Sequence, residues 1–142
     1  MVGGLVTKLS KRECFTLSEH DTLKSASEKL QKHNVGAMPV LGRQNNDLIG
    51  IVSERDLARF IFKDEFSDDL PIVKIMTKKI ITCNINTSVT ELMEMITQNK
   101  IRHIPIVGDK KILGIVSVGD VVNHVIEQYR DENKHLKDYM NL

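Results

Sequence analysis

Two copies of a Ser-x-x-Asp pattern are the residues of this chain whose types and spacing are best suited to chemistry. They are Ser53–Asp56 (SERD) and Ser117–Asp120 (SVGD). Each copy lies where a helix is expected to begin, and a helix N-terminus attracts phosphate because it carries free N–H groups and a partial positive charge. The Asp can accept hydrogen bonds from two vicinal ribose hydroxyls, and the Ser can bind a hydroxyl or a phosphate oxygen. The same pattern also forms a capping box that stabilises a helix without any ligand, so both interpretations stay open.

No catalytic constellation accompanies these residues in the sequence. The chain has no GxxxxGK[ST] phosphate loop, no evident pair of catalytic carboxylates and no Ser-His-Asp or Cys-His spacing. No general base lies near Ser53 or Ser117 in sequence to make the hydroxyl a nucleophile. The two cysteines, Cys14 and Cys83, and the five scattered histidines indicate neither a disulfide framework nor a metal site. We therefore expect a protein that is not an enzyme and has no catalytic cofactor and no metal.

Charge and composition limit the class of partner. The 142 residues include 20 Lys and Arg against 19 Asp and Glu, which gives a net charge of +1. Nucleic-acid-binding proteins usually carry a strong basic excess, so nucleic acid is disfavoured as a partner. A hydrophobic fraction of 41% fits a folded chain with its own core. Because no apolar run approaches the roughly 18 residues of a membrane span and the N-terminus does not resemble a signal peptide, we expect a cytoplasmic protein without a membrane partner.

The chain repeats itself, and each copy contains one Ser-x-x-Asp pattern. The segment GIVSERD, which begins at Gly50, pairs with GIVSVGD, which begins at Gly114, and five of the seven positions are identical. Upstream, VGAMPVL pairs with IRHIPIV, so that Pro39 falls on Pro105. The copies differ in length only in the polar loop before Gly50, where length changes are tolerated. These matches indicate a duplication of one structural unit.

Each copy is predicted to fold in the order β-α-β-β-α. An amphipathic helix follows each first strand and is preceded by a capping pair, Asp21-Thr22 or Thr87-Ser88. Two apolar strands come next, and a second helix begins at each Ser-x-x-Asp. The first of these helices is expected to end near Lys63 and the second to run from about Val118 almost to the end of the chain. The predicted first strands are Cys14–Leu17 and Ile80–Cys83, the acidic linker is 64–69, and the two units are residues 1–68 and 69–142.

This order of elements, with the words GIVSERDL and RHIPIV…LGIVSVGDV, resembles the cystathionine-β-synthase (CBS) domains in the tandem arrangement called a Bateman module. The resemblance covers nearly the whole chain. It implies an α+β (α/β) fold of two CBS repeats related by a pseudo-twofold axis, with an extended C-terminal helix. It also implies that an adenine nucleotide binds in the clefts between the repeats.

The resemblance further implies the residues of that site. In the family the Asp of the Ser/Thr-x-x-Asp pattern contacts ribose, backbone groups of the strand at Pro39 or Pro105 contact the adenine edge, and a Thr near the first strand makes a further contact. Basic residues beside the motifs would bind phosphate, and they occupy different positions in the two copies, so we expect unequal clefts. The predicted nucleotide-binding residues are Thr16, Gly36, Ala37, Met38, Pro39, Ser53, Arg55, Asp56, Thr82, Arg102, His103, Ile104, Pro105, Ser117 and Asp120.

We therefore predict a regulatory sensor that binds AMP, ADP, ATP or NAD and signals occupancy to an unknown protein target. One alternative is a scaffold whose clefts are empty, which is expected to have lost Asp56 or Asp120. Another is a pair that binds S-adenosylmethionine. A homodimer is also expected, because family members commonly associate through helical faces. Two sequence features support it: apolar residues crowd the segment from Leu92 to Ile96, and an apolar stripe runs from Tyr129 to Met140.

Overall fold

The fold was obtained as a computed structural model, in which residues 4–63 and 66–140 are described. The sequence prediction of two similar units is confirmed, and a short helix, α1, precedes the first unit. The first unit contains β1, α2, β2, β3 and α3, and the second contains α4, β4, β5 and α5. The element bounds are α1 Leu5–Leu9, β1 Leu17–Ser18, α2 Leu23–His33, β2 Ala37–Leu41, β3 Leu48–Ser53, α3 Glu54–Ile61, a 3₁₀ helix Ile72–Lys74, α4 Val89–Asn99, β4 His103–Gly108, β5 Lys111–Ser117 and α5 Val118–Met140.

The helix starts follow the predicted capping residues. The Thr22 hydroxyl accepts a hydrogen bond from the Ser25 N–H at 3.2 Å, and the Ser88 hydroxyl accepts one from the Glu91 N–H at 3.1 Å. Each bond satisfies one N–H that the first helical turn would otherwise leave without a partner. α2 and α4 therefore begin where the sequence predicted.

The first strands are shorter than predicted. β1 contains only Leu17–Ser18 and pairs in parallel with β2, whereas the second unit has a single parallel bridge between Cys83 and Ile106. The predictions of strands over Cys14–Leu17 and Ile80–Cys83 were therefore wrong in extent. The physical reason is that Cys14, Phe15, Ile80 and Ile81 line the clefts between the repeats and are not paired with a strand.

Each unit has an antiparallel strand pair behind its helices. β2 pairs with β3, and β4 pairs with β5 in the corresponding register, so that Pro39 lies opposite Ile51 and Pro105 opposite Ile115. The N–H of the first residue of α3 donates to the Gly36 carbonyl at 2.9 Å, and that of α5 donates to the Arg102 carbonyl at 2.8 Å. These matched bonds hold each Ser-x-x-Asp helix start beside the beginning of a strand in its own repeat.

The segment that leads into each repeat packs in the hydrophobic core of the other repeat. We call residues 5–15 the first lead segment and residues 71–81 the second. Leu5, Val6 and Leu9 are buried in the core of the second repeat, with Leu92, Ile104 and Val116. Ile72 and Ile75 are buried in the core of the first repeat, with Leu17, Met38 and Val52. The packing therefore crosses the predicted division at residues 68 and 69, and each repeat is fastened to the other by its lead segment.

The repeated glycine of the GIVS segments permits this exchange. A Cβ at Gly114 would lie 3.2 Å from the Leu9 carbonyl oxygen of the first lead segment, and a Cβ at Gly50 would overlap the Met76 side chain of the second. A larger residue at position 114 would press on the backbone of the first lead segment, and one at position 50 would displace the Met76 side chain of the second. The duplicated Gly thus has a packing role in both repeats.

The remaining predictions for this part of the chain concern the linker and the last helix. α3 ends at Ile61, close to the predicted end near Lys63. Part of the predicted acidic linker, residues 64 and 65, lies outside the described residues. α5 continues to Met140, as predicted, and Val121 is its buried residue. None of the helices in the described part of the chain combines the length and the apolar character that crossing a membrane requires.

Candidate functional site

Two adjoining clefts lie between the repeats, one at each Ser-x-x-Asp pattern. The Asp56 cleft has a volume of about 520 Å³ and the Asp120 cleft about 400 Å³, within the usual range of small-molecule sites. Each cleft combines a helix start from one repeat with residues 12–15 or 77–81 of the lead segment that crosses to it. Gly36, Ala37 and His103 line both clefts, so the two cavities meet there.

Asp56 is held at the start of α3 with one carboxylate oxygen facing few protein donors. Its Oδ2 accepts hydrogen bonds from the Ser53 N–H at 2.9 Å and the Ser53 hydroxyl at 3.0 Å. Its Oδ1 accepts a long bond of 3.4 Å from the Thr77 hydroxyl of the second lead segment. No cation forms an ion pair with Asp56 among residues 4–63 and 66–140. The carboxylate therefore caps the helix through one oxygen and leaves the other available to a ligand hydroxyl.

Asp120 occupies the equivalent position in the second repeat and is engaged differently. It caps α5 by accepting the Ser117 N–H at 2.8 Å. In addition, the Arg12 guanidinium donates to both of its oxygens, at 3.0 and 2.8 Å, and to the Ile115 carbonyl at 2.8 Å. A two-point bond between Arg and a carboxylate is among the stronger polar contacts in proteins. In this structure both oxygens of the Asp120 carboxylate are therefore engaged by Arg12.

The electrostatics of the Asp120 cleft follow from this pair. Burial acts to raise the pKa of Asp120, but the hydrogen bonds from Arg12 and from the Ser117 backbone outweigh it and hold the pKa below its usual value. The hydrogen bond with Asp120 raises the pKa of Arg12. Near neutral pH the pair is therefore fully charged.

His103 separates the two clefts as a half-buried side chain. Burial lowers the pKa of His103, and the opposing attraction of Asp120 and Glu54 does not restore it. The ring is therefore neutral near pH 7. A Cβ at Gly36 would lie 3.2 Å from two ring atoms of His103, so the ring occupies this position because residue 36 has no side chain.

The Asp56 cleft is the more basic of the two. Its lining includes five Lys and Arg side chains and two carboxylates, those of Glu54 and Asp56. None of the ion pairs found in the described part of the chain involves these cations. The five are Arg55, Arg59, Lys79, Lys100 and Arg102.

The structure brings together most of the predicted site residues. Those that line one cleft or both are Gly36, Ala37, Ser53, Arg55, Asp56, Arg102, His103, Pro105, Ser117 and Asp120.

Five predicted residues line neither cleft. Met38, Pro39 and Ile104 are fully buried inside the paired strands, so their side chains belong to the core. Thr16 is half-buried just before β1, and Thr82 is exposed just before Cys83. The two threonines were predicted to lie at the ends of the first strands. The residues that line the clefts end just before them, at Phe15 and Ile81.

Sequence reasoning missed several lining residues. Arg59 lies one turn beyond Arg55 on α3, and this spacing could have identified it. Thr77, Lys79 and Arg12 come from the lead segments. No local pattern marks these residues, because they reach the clefts only through the exchange between repeats. Among the described residues, no group of three or more His, Cys, Asp or Glu side chains is placed to hold a metal ion.

Comparisons with known proteins agree with this architecture. The model of the CBS domain family matches residues 6–63 and 72–127. The CBS domain-containing protein CBSX3, mitochondrial, of Arabidopsis thaliana is 40% identical over 125 residues, which are 84% of this chain and 60% of that protein. The chain thus spans less than two thirds of the length of this relative.

Solved structures show the same fold. The crystal structure of the CBS-domain containing protein ATU1752 from Agrobacterium tumefaciens superposes with a TM-score of 0.76 at 28% identity, covering 84% of this chain and 94% of that one. The CBS domain pair of protein MJ0100, in complex with 5′-methylthioadenosine and S-adenosyl-L-methionine, superposes with a TM-score of 0.79 at 23% identity, covering 89% and 98%. With two matches to the family model in one chain, the protein belongs to the CBS domain family as a tandem pair of repeats.

Proposed function

We propose that this chain is a regulatory module that binds an adenine nucleotide, with the ribose at Asp56, and signals its occupancy to a protein target. The observation that carries the proposal is the Asp56 carboxylate itself. It lies at a helix start in a cleft of about 520 Å³, with no cationic partner among the described residues. An ionised carboxylate in this position accepts hydrogen bonds from two vicinal hydroxyls, which a ribose supplies.

The surroundings of Asp56 fit the other parts of such a ligand. Ile80 and Ile81 of the second lead segment and Ile101 supply apolar surface for a flat base. The basic side chains of the cleft provide counter-charge for phosphate. In the proposal this binding region also contains seven of the predicted site residues: Gly36, Ala37, Ser53, Arg55, Arg102, His103 and Pro105. That the protein is cytoplasmic and has no membrane partner remains a prediction from the sequence.

Of the two alternatives, one has specific support and the other is disfavoured. MJ0100 is described with S-adenosylmethionine bound, so that class of ligand remains a second candidate for this chain, although the likeness at 23% identity shows the fold alone. A scaffold with decayed clefts was expected to have lost one of the two Asp residues, and both are present. Retention of Asp56 and Asp120 favours a ligand over an empty scaffold.

The first prediction tests the ribose contact. Replacing Asp56 with Ala should weaken adenine-nucleotide binding by about 1.5–3 kcal/mol, the range for a lost hydrogen bond to a charged group. Isothermal titration calorimetry with AMP, ATP, NAD and S-adenosylmethionine measures the affinity. Since Asp56→Ala also removes a helix cap, Asp56→Asn is the second variant, because an amide oxygen still accepts from the Ser53 N–H while the charge is lost.

Asp47→Ala is the matched control, because this exposed carboxylate in the β2–β3 loop lines neither cleft. The wild type and the control should bind equally, and ligand should raise the melting temperature of both. An unchanged affinity in both Asp56 variants would remove the proposed role of this carboxylate. If none of the four compounds binds the wild-type protein, the proposed function fails.

A further inference from the structure

The two clefts arose by duplication, so each position in one has a counterpart in the other that serves as an internal comparison. The five cations of the Asp56 cleft correspond to no basic residue in the Asp120 cleft. Arg55 is matched by Gly119, Arg59 by Asn123, Lys79 by Glu13, Lys100 by Asn34 and Arg102 by Gly36. The one cation that lines the Asp120 cleft, Arg12, is paired with Asp120. Positive charge is therefore concentrated in one of two otherwise similar cavities.

The backbone at Lys100 gives an independent indication. Lys100 ends α4 in the left-handed conformation, with φ 53° and ψ 41°, and its counterpart Asn34 ends α2 with φ 53° and ψ 48°. Asn adopts this conformation more readily than Lys does. The fold thus needs a left-handed residue at the end of both helices. At the Asp56 cleft this residue is Lys100, which is less suited to the conformation than Asn but carries a positive charge. The backbone conformation at this helix end therefore does not explain the choice of lysine, and what Lys100 adds to the cleft is its charge.

The cations also come from different elements around the cavity. Arg55 and Arg59 lie on α3, Lys79 on the second lead segment, and Lys100 at the end of α4. Side chains that converge from three elements can surround several charged oxygens, whereas a row on one helix covers one side only. A single phosphate needs fewer positive charges than this cleft provides.

We propose that the Asp56 cleft contains a polyphosphate subsite formed by Arg59, Lys79 and Lys100, so that its ligand is a nucleoside di- or triphosphate. This inference rests on the proposed function and names its ligand class. Adenosine would occupy the part of the cleft near Asp56, and the phosphate chain would extend to the three cations. The cationic sulfonium of S-adenosylmethionine meets repulsion in such a cleft, since like charges in a partly buried cavity are unfavourable.

The second prediction concerns this subsite, and its test compares ligands that differ only in phosphate number. The full chain is titrated by calorimetry with adenosine, AMP, ADP and ATP, without added divalent cation, and with inorganic tripolyphosphate as a probe of the subsite alone. We expect ATP to bind at least about tenfold more tightly than AMP, since charge-assisted hydrogen bonds are the strong ones and a factor of ten needs only about one such contact. S-adenosylmethionine should bind more weakly than ATP.

The variants replace cations by the residues of the other repeat. Lys100→Asn and Arg59→Asn introduce side chains that the fold already accepts at the equivalent positions, and Lys79→Gln removes the third charge. Each should weaken ATP and tripolyphosphate binding by about tenfold and leave adenosine binding unchanged. Lys110→Asn is the matched control, because Lys110 is also a lysine with positive φ, lies in the exposed β4–β5 turn and lines neither cleft.

The outcomes separate this inference from the function on which it rests. Equal affinities for AMP and ATP, or an ATP affinity that Lys100→Asn and Lys79→Gln leave unchanged, would overturn the polyphosphate subsite while adenine-nucleotide binding stands. A loss of adenosine binding equal to the loss of ATP binding would assign these residues a structural role and also overturn it. If no adenine compound binds the wild-type chain, the proposed function itself is wrong.

Discussion

At the scale of single residues, the two duplicated aspartates have different partners. Both cap a helix, but Asp120 is paired with Arg12 whereas Asp56 meets only hydroxyl and amide donors among the described residues. The difference comes from the lead segments, because the first brings an Arg to its cleft and the second brings Thr77. Under the proposed function Arg12 would block the second of the two duplicated sites, so we expect the wild-type chain to bind one nucleotide.

The third prediction is that removing Arg12 opens the second site. In the Arg12→Ala variant the Asp120 carboxylate loses its two-point partner and becomes available to ribose hydroxyls, so adenosine should bind at two sites per chain where the wild type binds at one. Calorimetric stoichiometry measures this directly. Lys11→Ala is the control, since Lys11 is the exposed neighbour and lines neither cleft. A stoichiometry of one in both variants would show that Arg12 does not restrict the cleft.

The pH dependence of this pair follows from the sign of the pKa shift. The pKa of Asp120 is lowered in the folded protein, so its contribution to stability is complete above the ordinary pKa of an Asp, about 3.9, and is lost as pH falls through the lower folded value. Between about pH 6 and 8 neither Asp120 nor Arg12 changes charge. The stoichiometry of the wild type should therefore stay constant over that range, and a change would indicate control by another group.

At the scale of elements, the lead segments determine how the clefts are built. α1 inserts Leu5, Val6 and Leu9 into the core of the second repeat, and Arg12 follows three residues later. The 3₁₀ helix Ile72–Lys74 does the same for the first repeat and is followed by Thr77 and Lys79. Each cleft therefore depends on a hydrophobic anchor in the core of the repeat whose helix start it uses.

The fourth prediction tests the anchor of α1. Replacing Leu9 with Ala should lower the free energy of unfolding by about 2–5 kcal/mol, because it leaves a cavity in the second core. Lys8→Ala is the matched control on the same helix; Lys8 is exposed, so its replacement should change stability by less than about 0.5 kcal/mol. Urea denaturation measures both. Equal stability of the two variants would mean that α1 is not anchored in the core.

The elements that sequence could predict are those with local signals. α2 and α4 follow from amphipathic spacing and from Thr22 and Ser88, whose capping bonds lie within one turn. α1 was missed because five residues are too few to show a helical period. The first strands were predicted too long because Cys14, Phe15, Ile80 and Ile81 line the clefts instead of pairing with a strand, and no local pattern marks that difference. The Arg12–Asp120 pair joins residues far apart in sequence, and no spacing rule identifies such a contact.

At the scale of the whole molecule, the helices present apolar surface that one chain does not cover. In α5, Val118, Val122, Val125, Ile126 and Tyr129 are all exposed, and they recur at the spacing of one helical face. Met93 on α4 and Ile61 on α3 are exposed as well.

The fifth prediction is a homodimer in solution with the last turns of α5 at or beside its interface. Tyr129, Leu136 and Tyr139 continue the apolar stripe along the helix and are mostly exposed, and a second copy would bury them at the energetic gain of about 25 cal/mol per Å² of apolar surface. Light scattering at micromolar concentration should give twice the chain mass of 16.1 kDa. Truncation after Gln128, or Tyr129→Glu with Leu136→Glu, should weaken the dimer, whereas Arg130→Glu with Lys137→Glu, which leaves the stripe intact, should weaken it less. A monomer mass for the full chain would overturn the prediction, and an unaltered dimer after truncation would exclude the last turns from the interface.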